Sequence, residues 1–185
     1  MPTADNINNA SAMTGGALYV APKGTTVPTD ATTALANAYK ALGYTAKDGF
    51  KMKIDRETVS WDTWESDDTV EIDTKHTVTT TVTPMETFAE DVATLMFGSS
   101  NVVVASGAVT KITVDGDSLD ECVLVVEMRL RNGKKCRVVL PRWKITSQGE
   151  LTFNRQDPIT SELQGKGLPD SSGGKAYIHF GTLAS

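Results

Sequence analysis

Seven carboxylates fall between Glu57 and Asp73 with no Lys or Arg among them, and the same stretch holds two of the chain's three tryptophans. Paired carboxylates can serve as general acid and base, but only where burial or a fixed neighbour tunes their pKa values. An exposed, charged loop supplies neither. The other titratable groups are sparse. His76 and His179 sit on alternating strand patterns far apart in sequence, and they read as surface or interface residues rather than bases. No G-x-S-x-G, P-loop or HExxH motif occurs, and Ser171-Ser-Gly-Gly-Lys175 lacks the leading glycine of a phosphate loop. The run Asp115-Gly-Asp117-Ser-Leu119-Asp-Glu121 invites a calcium reading. It fails the EF-hand spacing, because Leu119 and Asp120 stand at the third-ligand and invariant-glycine positions, and it reads as a turn. Cys122 and Cys136 form no CxxC and are expected to remain unpaired thiols. The sequence therefore implies no enzyme, no cofactor and no metal.

What the acidic stretch offers instead is a docking surface. It is too charged for a core strand, since unpaired buried carboxylates are costly. Its tryptophans carry too much apolar area for a purely solvated loop. Trp61, Trp64, Val70 and Ile72 are the expected apolar anchors, and Asp62, Glu65, Asp67, Asp68, Glu71 and Asp73 the charges that select a basic partner. Mutual repulsion is expected to keep this loop mobile until it is neutralised. A second cluster has the opposite sign. Between Cys122 and Lys144 seven bases face Glu127 alone. Arg129, Arg131, Lys134, Lys135 and Arg137 could be a solvated sheet face, a nucleic-acid stripe, or the acceptor for the acidic loop of another copy. Only Trp143 is available there for base stacking. Opposite patches on one chain make head-to-tail contacts, which close into rings or propagate as filaments.

The elements that must position these patches are mostly strands. Gly16–Ala21 reads as a short strand closed by Pro22, and a loop rich in Gly, Thr and Pro follows. Asp30 could cap a short helix over 31–42, with Leu35, Tyr39 and Leu42 on one side. After a turn at Lys47-Asp48-Gly49, Phe50, Met52 and Ile54 alternate inward. A long strand from Thr69 to Val82 makes the acidic segment the tip of a hairpin, reaching roughly 25 Å from the body. Thr83, Pro84 and Glu86 then form a capping box, opening a helix whose stripe is Met85, Phe88, Val92, Leu95 and Met96, with Gly98 as its stop. Short strands or irregular connectors are expected over 101–105 and 109–114. The Cys122–Leu140 stretch reads as a hairpin closed by Arg131-Asn132-Gly133. That three-residue loop pairs Met128 with Cys136, Val126 with Val138, Leu124 with Leu140, and Cys122 with Arg142. Strands at 150–155, 159–165 and 175–180 complete a mainly β chain: a β-sandwich or split barrel with one flanking α-helix.

At 185 residues the chain fits one domain, 17–185, behind a flexible N-terminal arm, 1–16. A net charge of −5 speaks against general binding to nucleic acid or anionic membranes. No apolar run is long enough for a membrane helix, and the N-terminus lacks the pattern of a signal peptide.

The residues so assembled resemble the major tail tube proteins of long-tailed siphophages, especially those of actinobacterial phages. The resemblance is carried by Gly15-Gly-Ala-Leu-Tyr-Val-Ala-Pro22-Lys-Gly24-Thr-Thr-Val-Pro28-Thr-Asp30, running on through Ala34-Leu35 to Leu42-Gly43-Tyr44-Thr45-Ala46-Lys47-Asp48-Gly49. The order of strand, acidic Trp-bearing loop, Thr-rich strand and helix is similar too. So are Pro141-Arg142, Gln156-Asp157-Pro158 and Leu168-Pro169-Asp170. The immunoglobulin-like domain that some relatives append is not expected here. The resemblance implies a virion protein, assembled in the host cytoplasm, whose hexameric rings stack into a non-contractile tail tube through which double-stranded DNA passes. It implies as partners further copies of itself, the tape-measure protein, the distal tail protein and the tail terminator. Carried over by position, loop 57–73 would be the inter-subunit loop. A ring-forming secretion-tube-like protein or a capsid decoration protein is the alternative.

Overall fold

The computed structural model describes residues 7–13 and 15–182. Among the described residues eleven strands and one α-helix follow in chain order. β1 (Ala10–Ala12), β2 (Leu18–Pro22) and β3 (Lys40–Ala41) precede a long hairpin of β4 (Lys51–Thr63) and β5 (Ser66–Val82). Then come α1 (Glu90–Phe97), the small hairpin of β6 (Val102–Ala105) and β7 (Ala108–Ile112), and the central pair β8 (Cys122–Leu130) and β9 (Lys134–Gln148). β10 (Leu163–Gly167) and β11 (Tyr177–Thr182) complete the chain.

Nine strands form one sheet about the β8–β9 pair, in the order β3-β2-β8-β9-β10-β5-β4. β1 and β2 lie end to end along the outer edge of β8. β11 and β10 lie end to end along the outer edge of β9. The sheet is thus split at both flanks. Leu18, Leu124, Leu140, Trp143, Leu163 and Val82, one or two from each strand between β2 and β5, meet in a single core with Val92 and Met96 of α1. The expected mainly β sandwich or split barrel with one flanking helix is the fold observed. Trp143 is its largest fully buried side chain. Its indole N–H donates to Thr80 Oγ1 at 2.7 Å, and it lies so close to Gly165 that any Cβ there would overlap the ring. Buried this way, Trp143 cannot stack a nucleic-acid base.

The β8–β9 register follows the expected alternation: Val126 pairs with Val138, Met128 with Cys136 and Leu124 with Leu140. Gly133 takes the left-handed conformation, φ 77°, that closes a three-residue loop. A shift between Cys122 and Leu124 places Cys122 opposite Trp143 rather than Arg142. Both faces of this pair are covered. Val123, Val125 and Val139 pack against Ala21 and Tyr39 in a second cluster, joined by the half-buried Val27 and Leu35. The segment 23–42 forms that covering layer without a helix. Asp30 does cap, but it caps a turn: Oδ1 accepts from the backbone N–H groups of Thr32 and Thr33 at 2.6 Å.

The other differences are local. Part of the expected arm is strand β1, and residues 1–6 and 14 lie outside the described residues. The helix begins at Glu90, with Ala89 as its N-cap, not at Pro84. Thr83 to Met85 instead continues antiparallel to 44–46: Ala46 N–H donates to Thr83 O and Met85 N–H to Tyr44 O. The Glu86 carboxylate turns to the Tyr44 N–H at 3.0 Å. Met85 and Phe88 are consequently exposed, while Val92, Leu95 and Met96 pack inward as expected. Residues 150–155 form no strand, because Asn154 Oδ1 folds them by accepting from the N–H groups of Gln156 and Asp157. Ile54 is exposed, although Phe50 and Met52 reach the core.

Candidate functional site

The acidic segment is a paired ribbon rather than a loop. β4 and β5 pair from Lys51–Thr81 out to Thr63–Ser66, closed by a two-residue turn at Trp64 and Glu65. Beyond Val78 the strand paired with β5 is β4 alone. The nine residue steps from Ile54 to Thr63 carry the tip about 30 Å beyond the sheet.

Within this ribbon the apolar and acidic residues separate. Glu57 pairs with Lys75, but Thr58 pairs with Asp73, so Thr74 is an extra residue in β5. Its hydroxyl donates to Glu57 O at 3.0 Å and the Lys75 ammonium meets Glu57 Oε1 at 2.7 Å, which fixes the bulge. Unbroken pairing would set Val59 against Asp73 and Trp61 against Glu71. The bulge sets Val59 against Ile72 and Trp61 against Val70 instead. Directly paired residues share a face. Val59, Trp61, Val70 and Ile72 thus form an apolar quartet, with Trp61 59% exposed. Thr58, Asp73, Ser60 and Glu71 form the polar reverse face. By strand alternation the quartet faces away from the side on which Val78 enters the core.

Of the expected anchors, Trp61, Val70 and Ile72 lie together, while Trp64 stands fully exposed at the turn beside Glu65. Asp73 pairs with Arg56 at 3.4 Å. Asp62 and Asp67 are exposed near the tip. Asp68 belongs to β5, and its side chain lies outside the described residues. Val59 is the member that sequence reading missed. Its signal is present in the alternation of Val59 and Trp61, but pairing it with Ile72 requires the bulge.

The basic acceptor face divides in two. Arg129, Arg131 and Lys134 are exposed, and no ion pair engages them among the described residues. Arg137 is only 1% exposed and cannot be an acceptor. Its Nε donates to Glu127 Oε1 at 2.8 Å and its Nη2 to the same oxygen. The remaining donors reach Asp30 O and Thr33 O at 2.7 Å, tying the covering segment to β9. Lys135 also pairs with Glu127, at 3.0 Å, and is largely buried. A buried charge needs such pairing, and the cover over this face supplies the burial.

A groove of about 820 Å³ runs between α1, the end of β2 and the 118–122 segment. In it Lys23 pairs with Glu121 at 3.0 Å and Lys144 donates to Ser118 Oγ at 2.6 Å. Hydrogen bonds from Arg142 and then Lys23 hold the Glu121 carboxyl at about 2. Burial pushes the Cys122 thiol up to about 12. The Asp115 segment is a turn, with Asp115 Oδ1 accepting from the Asp117 N–H at 3.1 Å. Among the described residues no three His, Cys, Asp or Glu side chains gather as metal ligands. His179 stacks on Tyr177, and His76 lies opposite Arg56 on the ribbon.

No curated protein sequence matches the chain. Among solved structures it is similar to the sheath/tube terminator of an extracellular contractile injection system, at 8% identity and TM-score 0.42, covering 91% of this chain and 97% of that one. It is similar also to the cap that terminates the anti-feeding prophage tube, at 8% identity and TM-score 0.41, covering 91% of each chain. Likenesses this distant carry no argument. The model of a family described as phage tail tube protein, in contrast, matches residues 3–165. That span holds the ribbon, the helix and the β8–β9 hairpin, and the chain belongs to the phage tail tube protein family.

Proposed function

We propose that the chain is the tube subunit of a long, non-contractile tail, forming hexameric rings that stack into a conduit for double-stranded DNA. Tail tube family membership supports the structural role and makes an enzymatic one unnecessary. The observation that carries the assembly reading is the ribbon. A two-stranded projection with an apolar quartet on one face is marginal alone in water and is completed by a second copy. Trp61, Val59, Val70 and Ile72 anchor that contact, and the ribbon's net negative charge, carried by Glu71 and Asp73 on the reverse face and by Asp62, Glu65 and Asp67 near the tip, disfavours acidic partners. Under this reading the tape-measure protein, distal tail protein and tail terminator meet the tube's interior and its ends. The surface facing DNA is not strongly basic, because tight phosphate contacts would stall passage.

The test is negative-stain microscopy of the purified protein and of Trp61→Asp/Val70→Asp. Wild type is expected to give open tubes built of stacked rings. The variant is expected to stay monomeric with an unchanged circular dichroism spectrum, since both side chains are exposed in the single chain. Tubes of normal length formed by the variant at the normal rate would refute the coupling role.

A further inference from the structure

We propose that the apolar strip of Ile178 and Phe180 on β11, with Lys134 and Arg131 beside it, receives the apolar face of the ribbon from a second copy. This rests on the reading of the ribbon as the coupler. Pairing sets Ile178 beside Val138 and Phe180 beside Cys136, on the face that elsewhere builds the main core. Yet Ile178 is 45% and Phe180 65% exposed, because no described residue covers β11 on this side. Met128 and Leu130 extend the same face as half-buried neighbours, paired with or adjacent to Cys136. An aromatic strip left in water next to a core marks an interface.

Charge selects the occupant. Glu127 is the only carboxylate in β8, β9 and β11, and it is buried and held by Arg137 and Lys135. Lys134 pairs with Thr182 on the face of Phe180, and Arg131 sits in the adjoining turn. Among the described residues of its strands the strip therefore presents apolar surface with cations and no competing anion, which complements a ribbon of net negative charge whose Glu71 and Asp73 lie on the face behind the quartet. The other exposed aromatic patch fails this criterion. Phe88 stacks on Phe153 at 6.4 Å, but near that patch in sequence Glu86, Glu90, Asp91 and Asp157 outnumber the single cation Arg155, and the net negative charge would repel the ribbon. β11 also lies beyond residues 3–165, so Ile178 and Phe180 are not part of what the family model matches, whereas Arg131 and Lys134 are.

The test mixes light and isotopically heavy full chains in which Trp61 is replaced by the photocrosslinker p-benzoylphenylalanine. Assembled tubes are irradiated and digested with trypsin. Heavy–light crosslinks are expected on the peptide 176–185, which follows Lys175. Crosslinks confined to any other peptide overturn the receiver. In parallel, Phe180→Asp should slow assembly about tenfold or more while Phe180→Leu stays within about twofold of wild type. If Trp61→Asp blocks assembly and Phe180→Asp does not, the receiver is wrong and the coupler stands. If neither blocks it, both fall.

Discussion

Arg137 shows what a single buried cation does for this fold. Its guanidinium spans Glu127 on β8 and the carbonyls of Asp30 and Thr33 in the covering segment. Arg137→Met strands the Glu127 carboxylate, with Lys135 left as partial compensation, so the expected loss is on the order of 3 kcal/mol. Adding Glu127→Leu should recover most of it, since an apolar pair tolerates burial. Urea denaturation of the dissociated monomer measures both. Glu121 gives a pH dependence of known sign. Its pKa falls from 4.5 to about 2 in the fold through Arg142 and then Lys23, so its contribution is full above about pH 4.5 and vanishes as pH drops through about 2. Glu121→Gln should therefore flatten the acid loss of stability across that window. A residual slope should remain, because Asp30 and Asp170 are also lowered, by the hydroxyls of Thr33 and Tyr177 respectively. Sequence alone marked Arg137 as an exposed base because the alternation of β9 is legible, while the segment that covers its polar face comes from a hundred residues away.

At the scale of elements, legibility follows how local the determinants are. The β8–β9 hairpin could be read to the residue from Leu124 to its turn, because alternation and one left-handed glycine fix its register, but the shift that sets Cys122 against Trp143 could not. The helix start could not. Thr83, Pro84 and Glu86 satisfy a capping box in sequence, but the same residues pair with Tyr44 and Ala46, and tertiary pairing prevails over the local signal. The ribbon lay between these cases, since its hairpin was legible and its bulge was not. That bulge permits a sharp test. Deleting Thr74 leaves Thr58 opposite Asp73 and the quartet on its present face, so tubes should still form. Inserting one threonine between Glu57 and Thr58 straightens the ladder and keeps the quartet together, but turns it to the opposite side of the ribbon. Monomer stability should change little, and electron micrographs should show assembly lost for the insertion alone. Equal assembly by the two variants would mean the quartet's direction does not matter.

For the whole molecule, the split sheet explains why one chain can be both well packed and interactive. Its centre is covered on both faces, and its flanks diverge into a ribbon and an edge strand that keep apolar surface outside the core. Composition and strand count made the fold class legible, and the charge clusters pointed to the ribbon and to the exposed bases. The apolar part of the proposed receiver was hidden, because Ile178 and Phe180 look like core residues until the pairing of β11 shows them exposed, with no layer of described residues over them. The thiols carry a last consequence. Cys122 lies opposite Trp143 and Cys136 opposite Met128, so about 20 Å of strand separates them and no bond can join them within one chain. Burial pushes the Cys122 thiol up to about 12, which disfavours its thiolate at neutral pH. Cys136 is raised in the same direction by burial. Both thiols are therefore poor nucleophiles, and within one chain their places on the β8–β9 ladder keep them apart.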